Sequence, residues 1–324
     1  MSTTLTKPSR PTEPASPGSR PTRAKSSSWF TAQHKLAPYV FVSPFVIMFS
    51  IFGIYPIIKS IMLAFYATNG PKSQVYVGFS NFNFMFHHHD FQIAVRNTII
   101  YTLCSVFLQL PCALGLAILL NQKWLKGHSF LRLAFYSPNL MGTVYVGILF
   151  QQLFSIHYGL VNRVLASIIP GFSTDFKWLG DPANVMPALV LTSLWLYVGY
   201  NMVYFLAGLQ AVDKELYEAA EVDGANPWQR FWAVTAPSIK PIATFVLVTS
   251  TIGSFQFFDL PYIMLGNGGG PNNAGLTIVM YLYQQGFITG DLGYASAVGW
   301  TLAIGVLAIS LLQMKLTGSM KGND

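Results

Sequence analysis

The chain has 324 residues, 52% of them hydrophobic and 10% charged, with 19 Lys and Arg against 12 Asp and Glu for a net charge of +7. Soluble domains carry about 25% charged residues, so this surface is too poor in charge to face water on all sides. The positive excess then calls for a membrane explanation rather than a nucleic-acid one. Cys104 and Cys112 share one apolar run, which excludes a disulfide framework and makes a poor metal site.

Residues 1–35 are rich in Ser, Thr, Pro and Arg and have little to bury, which predicts a disordered basic tail near anionic lipid. The segment is too long and too polar for a cleavable signal peptide. A crossing helix takes about 20 apolar residues, and six stretches qualify, near 38–59, 93–120, 131–154, 185–209, 242–265 and 292–316. They do not alternate at period two as barrel strands would. The third is the weakest, because Asn139, Gln151 and Gln152 lie inside it. The reading is an all-α polytopic membrane protein with six transmembrane helices: a membrane domain over 36–318 and a short C-terminus over 319–324.

Basic residues set the orientation. Lys7, Arg10, Arg20, Arg23, Lys25 and Lys35 precede the first span; Lys123, Lys126 and Arg132 separate spans two and three. Lys214, Arg230 and Lys240 separate spans four and five, and Lys315 and Lys321 follow span six. These are 14 of the 19 basic residues, and they place both termini and these loops in the cytoplasm.

Between spans one and two, His87-His-His-Asp90 has the composition of a metal cluster, but consecutive side chains diverge on a helix or alternate on a strand, so an external interfacial loop is expected and no metal site. In the loop after span four, 211–241, five of the twelve acids gather: Asp213, Glu215, Glu218, Glu221 and Asp223. Asp213 is a candidate N-cap with Glu215 in the first turn, and Leu216, Ala219, Ala220 and Val222 form a narrow apolar face. Gly224 stops the helix, and Asn226-Pro227 starts another with a Trp228, Phe231, Trp232 stripe. This hairpin suits docking to a partner, and equally suits anchoring at the membrane interface.

Span five carries the one acid expected deep in the membrane, Asp259, with Gln256 and Phe255 three and four residues earlier on the same helical face and Pro261 placed to break the helix. In span four, Ser193, Tyr197 and Tyr200 recur at helical spacing. Aromatic rings that stack on sugar faces, with amide and carboxylate acceptors for hydroxyls, are what a carbohydrate site requires. The same groups also serve as ordinary interhelical hydrogen-bonding partners. Gly266-Asn-Gly-Gly-Gly270 has no G-x-x-x-x-G-K-[ST] around it, and the chain holds no phosphate-binding motif, so ATP energy has to come from another polypeptide. There is likewise no H-E-x-x-H, nucleophile elbow or acid–base pair for bond chemistry.

The run Glu218-Ala-Ala-Glu-Val-Asp223-Gly224-Ala225, followed by Phe231, Pro237 and Pro241, resembles the "EAA" loop of binding-protein-dependent ABC transporter permeases. Gly268-Gly-Gly-Pro271, Tyr283, Gly293-Tyr-Ala-Ser-Ala297, the opening Ala37-Pro-Tyr-Val-Phe with Pro44, and Tyr55-Pro56 are similar to the sugar-permease branch and its maltose-permease-like half, over about 36–318. The resemblance implies a type I ABC importer permease in a bacterial inner membrane, with a coupling-helix hairpin. It implies a heterodimer with a second homologous permease, two ATPase subunits that use ATP and Mg, an extracytoplasmic solute-binding protein, and no cofactor in this chain. It makes Glu218, Ala219, Ala220, Asp223, Gly224 and Ala225 the ATPase-coupling residues. Tyr200 and Phe255 match sugar-contacting positions; Ser193, Gln256 and Asp259 stand where that subunit has asparagines, and Tyr197 where it has a glycine. The expected cargo is a sugar or oligosaccharide, acidic oligosaccharides included. The rival readings are a stand-alone secondary transporter and a membrane-embedded enzyme using His87 to His89.

Overall fold

The computed structural model describes residues 28–70, 73–122 and 124–318, with side chains from residue 36 onward. The expectations for residues 1–27 and 319–324 lie outside the described residues. The described residues up to Pro56 and those from Ile57 onward form two compact units. In the first, α1 (Ser28–Phe49) runs into a π-helical turn over Ser50–Ile54. The backbone is helical from Ser28, so the segment read as a tail to residue 35 ends inside a helix.

After α2 (Tyr55–Leu63), the chain makes a small antiparallel hairpin of β1 (Tyr66–Thr68) and β2 (Gln74–Tyr76), with Tyr66 opposite Tyr76. Then come α3 (Ser80–His87), α4 (His89–Cys104) and α5 (Leu110–Leu120), the last two joined by a π-helical turn over Ser105–Gln109. The pair α6 (His128–Leu140) and α7 (Thr143–Leu153) is followed by α8 (Leu160–Ile168) and the long α9 (Pro182–Gln210). Next are α10 (Lys214–Val222), α11 (Pro227–Arg230), α12 (Ala236–Phe255), α13 (Asp259–Leu265), α14 (Ile278–Tyr283) and α15 (Leu292–Leu316).

Among the described residues, five stretches are long and apolar enough to cross a membrane: Leu36–Leu63, His89–Leu120, Pro182–Gln210, Pro227–Leu265 and Leu292–Leu316. The α6–α7 pair, bent by 96°, makes the sixth when counted as one span. This is the stretch whose polar content weakened it in the sequence. Pro138 sits in the last turn of α6, and Met141 and Gly142 take extended conformations before α7 restarts. Proline removes a helix donor and glycine tolerates the turn, so the break falls where the backbone is least held.

The core of residues 57–324 is built around α9. Aspartate and proline open that helix in the expected way: Asp181 accepts a hydrogen bond from Ala183 N at 3.0 Å, and Pro182 occupies the first turn. Toward its start, Val185, Leu189 and Leu196 pack with Val146 of α7 and Leu260 and Met264 of α13. Toward its end, Met202, Leu206 and Leu209 pack with Ala113 and Ala117 of α5 and Val246 of α12. Small residues permit close helix approach in membranes, and Gly199 is the sharpest case: a Cβ there would overlap the carbonyl oxygen of Phe135 in α6. A third cluster joins Met85, Phe91 and Ala94 to Tyr281 of α14 and Tyr294 and Val298 of α15.

The residues between α13 and α14 form a tight loop. Gly266, Gly269, Gly270, Asn272 and Asn273 all have positive φ. Asn97 of α4 pins the loop by donating to the carbonyls of Asn273 (2.9 Å) and Leu276 (3.0 Å), and Asn273 donates to Asp90 at 3.0 Å. The three consecutive histidines, expected in a loop, straddle a helix junction: His87 ends α3, His88 links the two helices and His89 opens α4. His87 Nδ1 lies 2.8 Å from the Asn83 carbonyl, and His88 Nδ1 lies 3.2 Å from the Tyr281 hydroxyl.

Candidate functional site

Span five is broken. Its helix stops at Phe255, Gln256–Phe258 leave the helical path, and the chain restarts as α13 at Asp259. The break precedes Asp259; Pro261, expected to cause it, lies inside the first turn of α13. A broken helix frees backbone groups, and such backbone is tolerated at membrane depth where it lines a cavity or is buried in protein.

Here it lines a cavity of about 240 Å³. Tyr197, Tyr200, Gln256 and Asp259 border it, four of the residues singled out from the sequence. Ser193 does not: it is buried, and its hydroxyl donates to the Val190 carbonyl at 3.0 Å. Phe255 faces the other way, into an apolar groove with Phe91, Ile99 and Leu302. On an unbroken helix Phe255 and Asp259 would share a face, and the break removes that register.

Other cavity residues were not singled out in the sequence. Tyr101, Ser105 and Gln109 line it from span two, Asn201 from α9, and Ser250 and Ser254 from α12. The signal was present, since Tyr101, Ser105 and Gln109 recur every four residues inside an apolar run. Ser105 and Gln109 bound the π-helical turn and bond to each other, Ser105 Oγ donating to Gln109 Oε1 at 2.9 Å. Such turns often occur at functional sites. The walls combine flat rings with hydrogen-bonding groups. Tyr101 stacks on Phe257 with centroids 3.7 Å apart, the Tyr200 and Tyr204 hydroxyls lie 3.0 Å apart, and Ser250 reaches Asn201 Oδ1 at 3.4 Å.

The second site is the hairpin after α9. Asp213 caps α10 by accepting from Glu215 N at 3.1 Å. Gly224 has φ of 74°, and two bonds close the turn: Gly224 N to the Glu221 carbonyl at 3.0 Å and Ala225 N to the Ala220 carbonyl at 2.9 Å. This is the Schellman arrangement that glycine favours. Asn226 and Gln229 then form a reciprocal capping box, with bonds of 2.8 and 2.9 Å, around Pro227 in the first turn of α11. Arg230 bridges back to Glu221 at 3.2 Å, an exposed pair that contributes about 0–1 kcal/mol.

Glu218, Ala219, Asp223 and Gly224 are exposed and Ala220 and Ala225 half-buried. Leu216, Val222, Trp228 and Trp232 also stand open, Val222 at 87%. Apolar side chains so presented on a capped hairpin form an exposed patch suited either to a partner or to the membrane interface.

The sequence from 94 to 317 matches the family described as the binding-protein-dependent transport system inner membrane component. The chain belongs to this family. It is an ABC importer permease, a multi-pass inner-membrane subunit that works with a solute-binding protein, and the ATPase activity belongs to a separate subunit. Among curated relatives, the permease is 40% identical over 305 residues to the arabinooligosaccharides transport system permease AraP of Bacillus subtilis (strain 168), covering 93% of this chain and 96% of that one. It is 34% identical to the lactose transport system permease LacF of Rhizobium radiobacter, covering 85% and 92%. A chain in the crystal structure of a bacterial ABC transporter involved in the import of the acidic polysaccharide alginate superposes with a TM-score of 0.79 at 25% identity, covering 92% of the permease and 99% of that chain.

Proposed function

We propose that this permease imports a sugar or oligosaccharide and that the cavity at the span-five break is its share of the translocation path. The carrying observation is the lining itself: the rings of Tyr101, Tyr197, Tyr200 and Phe257 beside Gln109, Asn201, Gln256 and Asp259. Ring faces suit the C–H faces of a pyranose or furanose, and amides and carboxylates accept its hydroxyls. The relatives named for arabinooligosaccharides and lactose support the same class of cargo.

In this reading the permease pairs with a second homologous permease over two ATPase subunits. The 213–235 hairpin docks into the ATPase, with Glu218 and Gly224 at the joint, and both termini lie in the cytoplasm. ATP and Mg are used by the ATPase. ATP-driven closure of that subunit moves the hairpins, and the paired permeases switch the cavity from one side of the membrane to the other. The test is uptake of labelled arabinotriose and lactose into proteoliposomes holding the complete transporter. ATP-dependent accumulation that requires the binding protein is expected. Accumulation of neither these nor any other glycoside would defeat the sugar reading.

A further inference from the structure

Among the described residues lining the cavity, Asp259 is the one charged side chain, with no Lys, Arg or His beside it. Asp259 is exposed toward the cavity, and among the described residues it enters no ion pair, the single pair being Arg230–Glu221. Its neighbours in the lining are neutral: Tyr197, Gln256, Ser250 and Asn201. A carboxylate with no counter-charge among the described residues, set in a cleft walled by neutral protein groups, is screened less than a charge on an open surface and gives the space a negative potential.

We propose that Asp259 is a specificity-determining residue that biases the cavity toward uncharged glycosides and rejects those bearing a carboxylate. The inference rests on the sugar reading above and narrows it. A neutral sugar offers hydroxyl donors that a carboxylate accepts well. A uronate brings a second negative charge into the same space, and like-charge juxtaposition is a recognised device for suppressing wrong partners. The alginate transporter resembles this permease in fold, so the backbone is compatible with an acidic cargo elsewhere, and discrimination falls to side chains.

The potential can be read without knowing the cargo. In the complete transporter, with Cys104 and Cys112 replaced by serine, Thr249→Cys and Ser250→Cys each place one thiol on the cavity wall. The probes are a cationic and an anionic methanethiosulfonate of similar size. With Asp259 present, the cationic reagent should react about tenfold faster relative to the anionic one than it does beside Asp259→Asn. Labelled-sugar uptake is measured in parallel, with galacturonate oligomers as competitors. Competition should strengthen about tenfold in Asp259→Asn, while the solute-binding protein is the same in both.

A reagent ratio that Asp259→Asn leaves unchanged at both thiols would overturn the proposal, and would mean that a cation of the partner permease neutralises the carboxylate. An altered ratio with unaltered competition would also overturn it, because the charge would then exist without selecting cargo. If neutral sugars still enter in either case, the sugar reading stands and only the filter falls. If no sugar enters wild type, the sugar reading itself has failed.

Discussion

Tyr101 and Phe257 stack face to face, with ring centroids 3.7 Å apart and planes 7° from parallel. Tyr101 belongs to span two and Phe257 to the irregular stretch of span five, so the stack fastens the broken backbone to a continuous helix. Thr277 adds a second tie, its hydroxyl donating to the Phe257 carbonyl at 2.7 Å. A break held this firmly is a shaped wall of the cavity rather than a frayed helix end.

The stack should therefore be measurable as a coupling. Tyr101→Ala and Phe257→Ala should each lower the thermal stability of the detergent-solubilised transporter. Their combined effect should fall short of the sum by about 0.5–1.5 kcal/mol, the worth of an aromatic pair beyond its burial. Strict additivity would show that the two rings act separately.

If the hairpin couples to the ATPase as proposed, its variants should separate stability from coupling. The Glu218 side chain is exposed and makes no hydrogen bond or ion pair among the described residues, so Glu218→Ala should change stability by less than about 0.5 kcal/mol. A Cβ at Gly224 meets nothing within 4 Å, and aspartate is one of the few side chains that visits positive φ, so Gly224→Asp should also leave the chain folded in the membrane. Both variants are nevertheless expected to uncouple ATP hydrolysis from uptake, measured together in proteoliposomes. Normal uptake in both would remove the coupling role from this surface.

Gly199 offers the opposite case, with no open space. Its α-carbon faces the Phe135 carbonyl, and Gly199→Ala must push α6 from α9. Overpacking of this kind costs about 1–3 kcal/mol. Because Phe135 is backbone in a helix that ends at the 96° bend, the strain has no flexible side chain to absorb it. The expected result is a lower melting temperature and poor recovery of the assembled transporter, whereas Gly115→Ala, which meets nothing within 4 Å, should be neutral.

The elements legible in the sequence were those written in local chemistry. Asp213, Gly224, Asn226 and Pro227 each act on their own backbone, and all four do in the structure what their types dictate. Asp259 and Gln256 were legible because polar groups inside an apolar run are costly and need a purpose. Helical periodicity places Phe255 with Asp259 and Ser193 with Tyr197 and Tyr200, and for Phe255 it holds only while the helix continues. The break at Gln256–Phe258 ended that register for Phe255, and Ser193 turned its hydroxyl to its own helix. Tyr101, Ser105 and Gln109 carry a polar face in their four-residue spacing, but that spacing does not say which span the face meets, and only the structure turns it toward span five.

The last relationship lies at the start of span six, where Asp291 caps α15 and holds the β-hairpin. Its Oδ1 accepts from Tyr294 N at 2.9 Å, from Thr68 N at 3.2 Å and from Thr68 Oγ1 at 3.0 Å, while Gly293 N donates to Thr68 Oγ1 at 2.9 Å. Gly293 admits this approach because a Cβ would overlap the Tyr66 carbonyl oxygen. Asp291→Ala removes the shared acceptor and leaves partly buried donors unpaired, at about 1–3 kcal/mol, including a helix cap worth about 1 kcal/mol. Asp291→Asn keeps an Oδ1 acceptor and should recover most of the loss. Thermal unfolding should rank wild type, then Asn, then Ala, and amide exchange should rise at Thr68 and Tyr294 in Ala before it rises in α9. If Asn is as damaging as Ala, the charge holds the hairpin and the hydrogen-bond geometry does not.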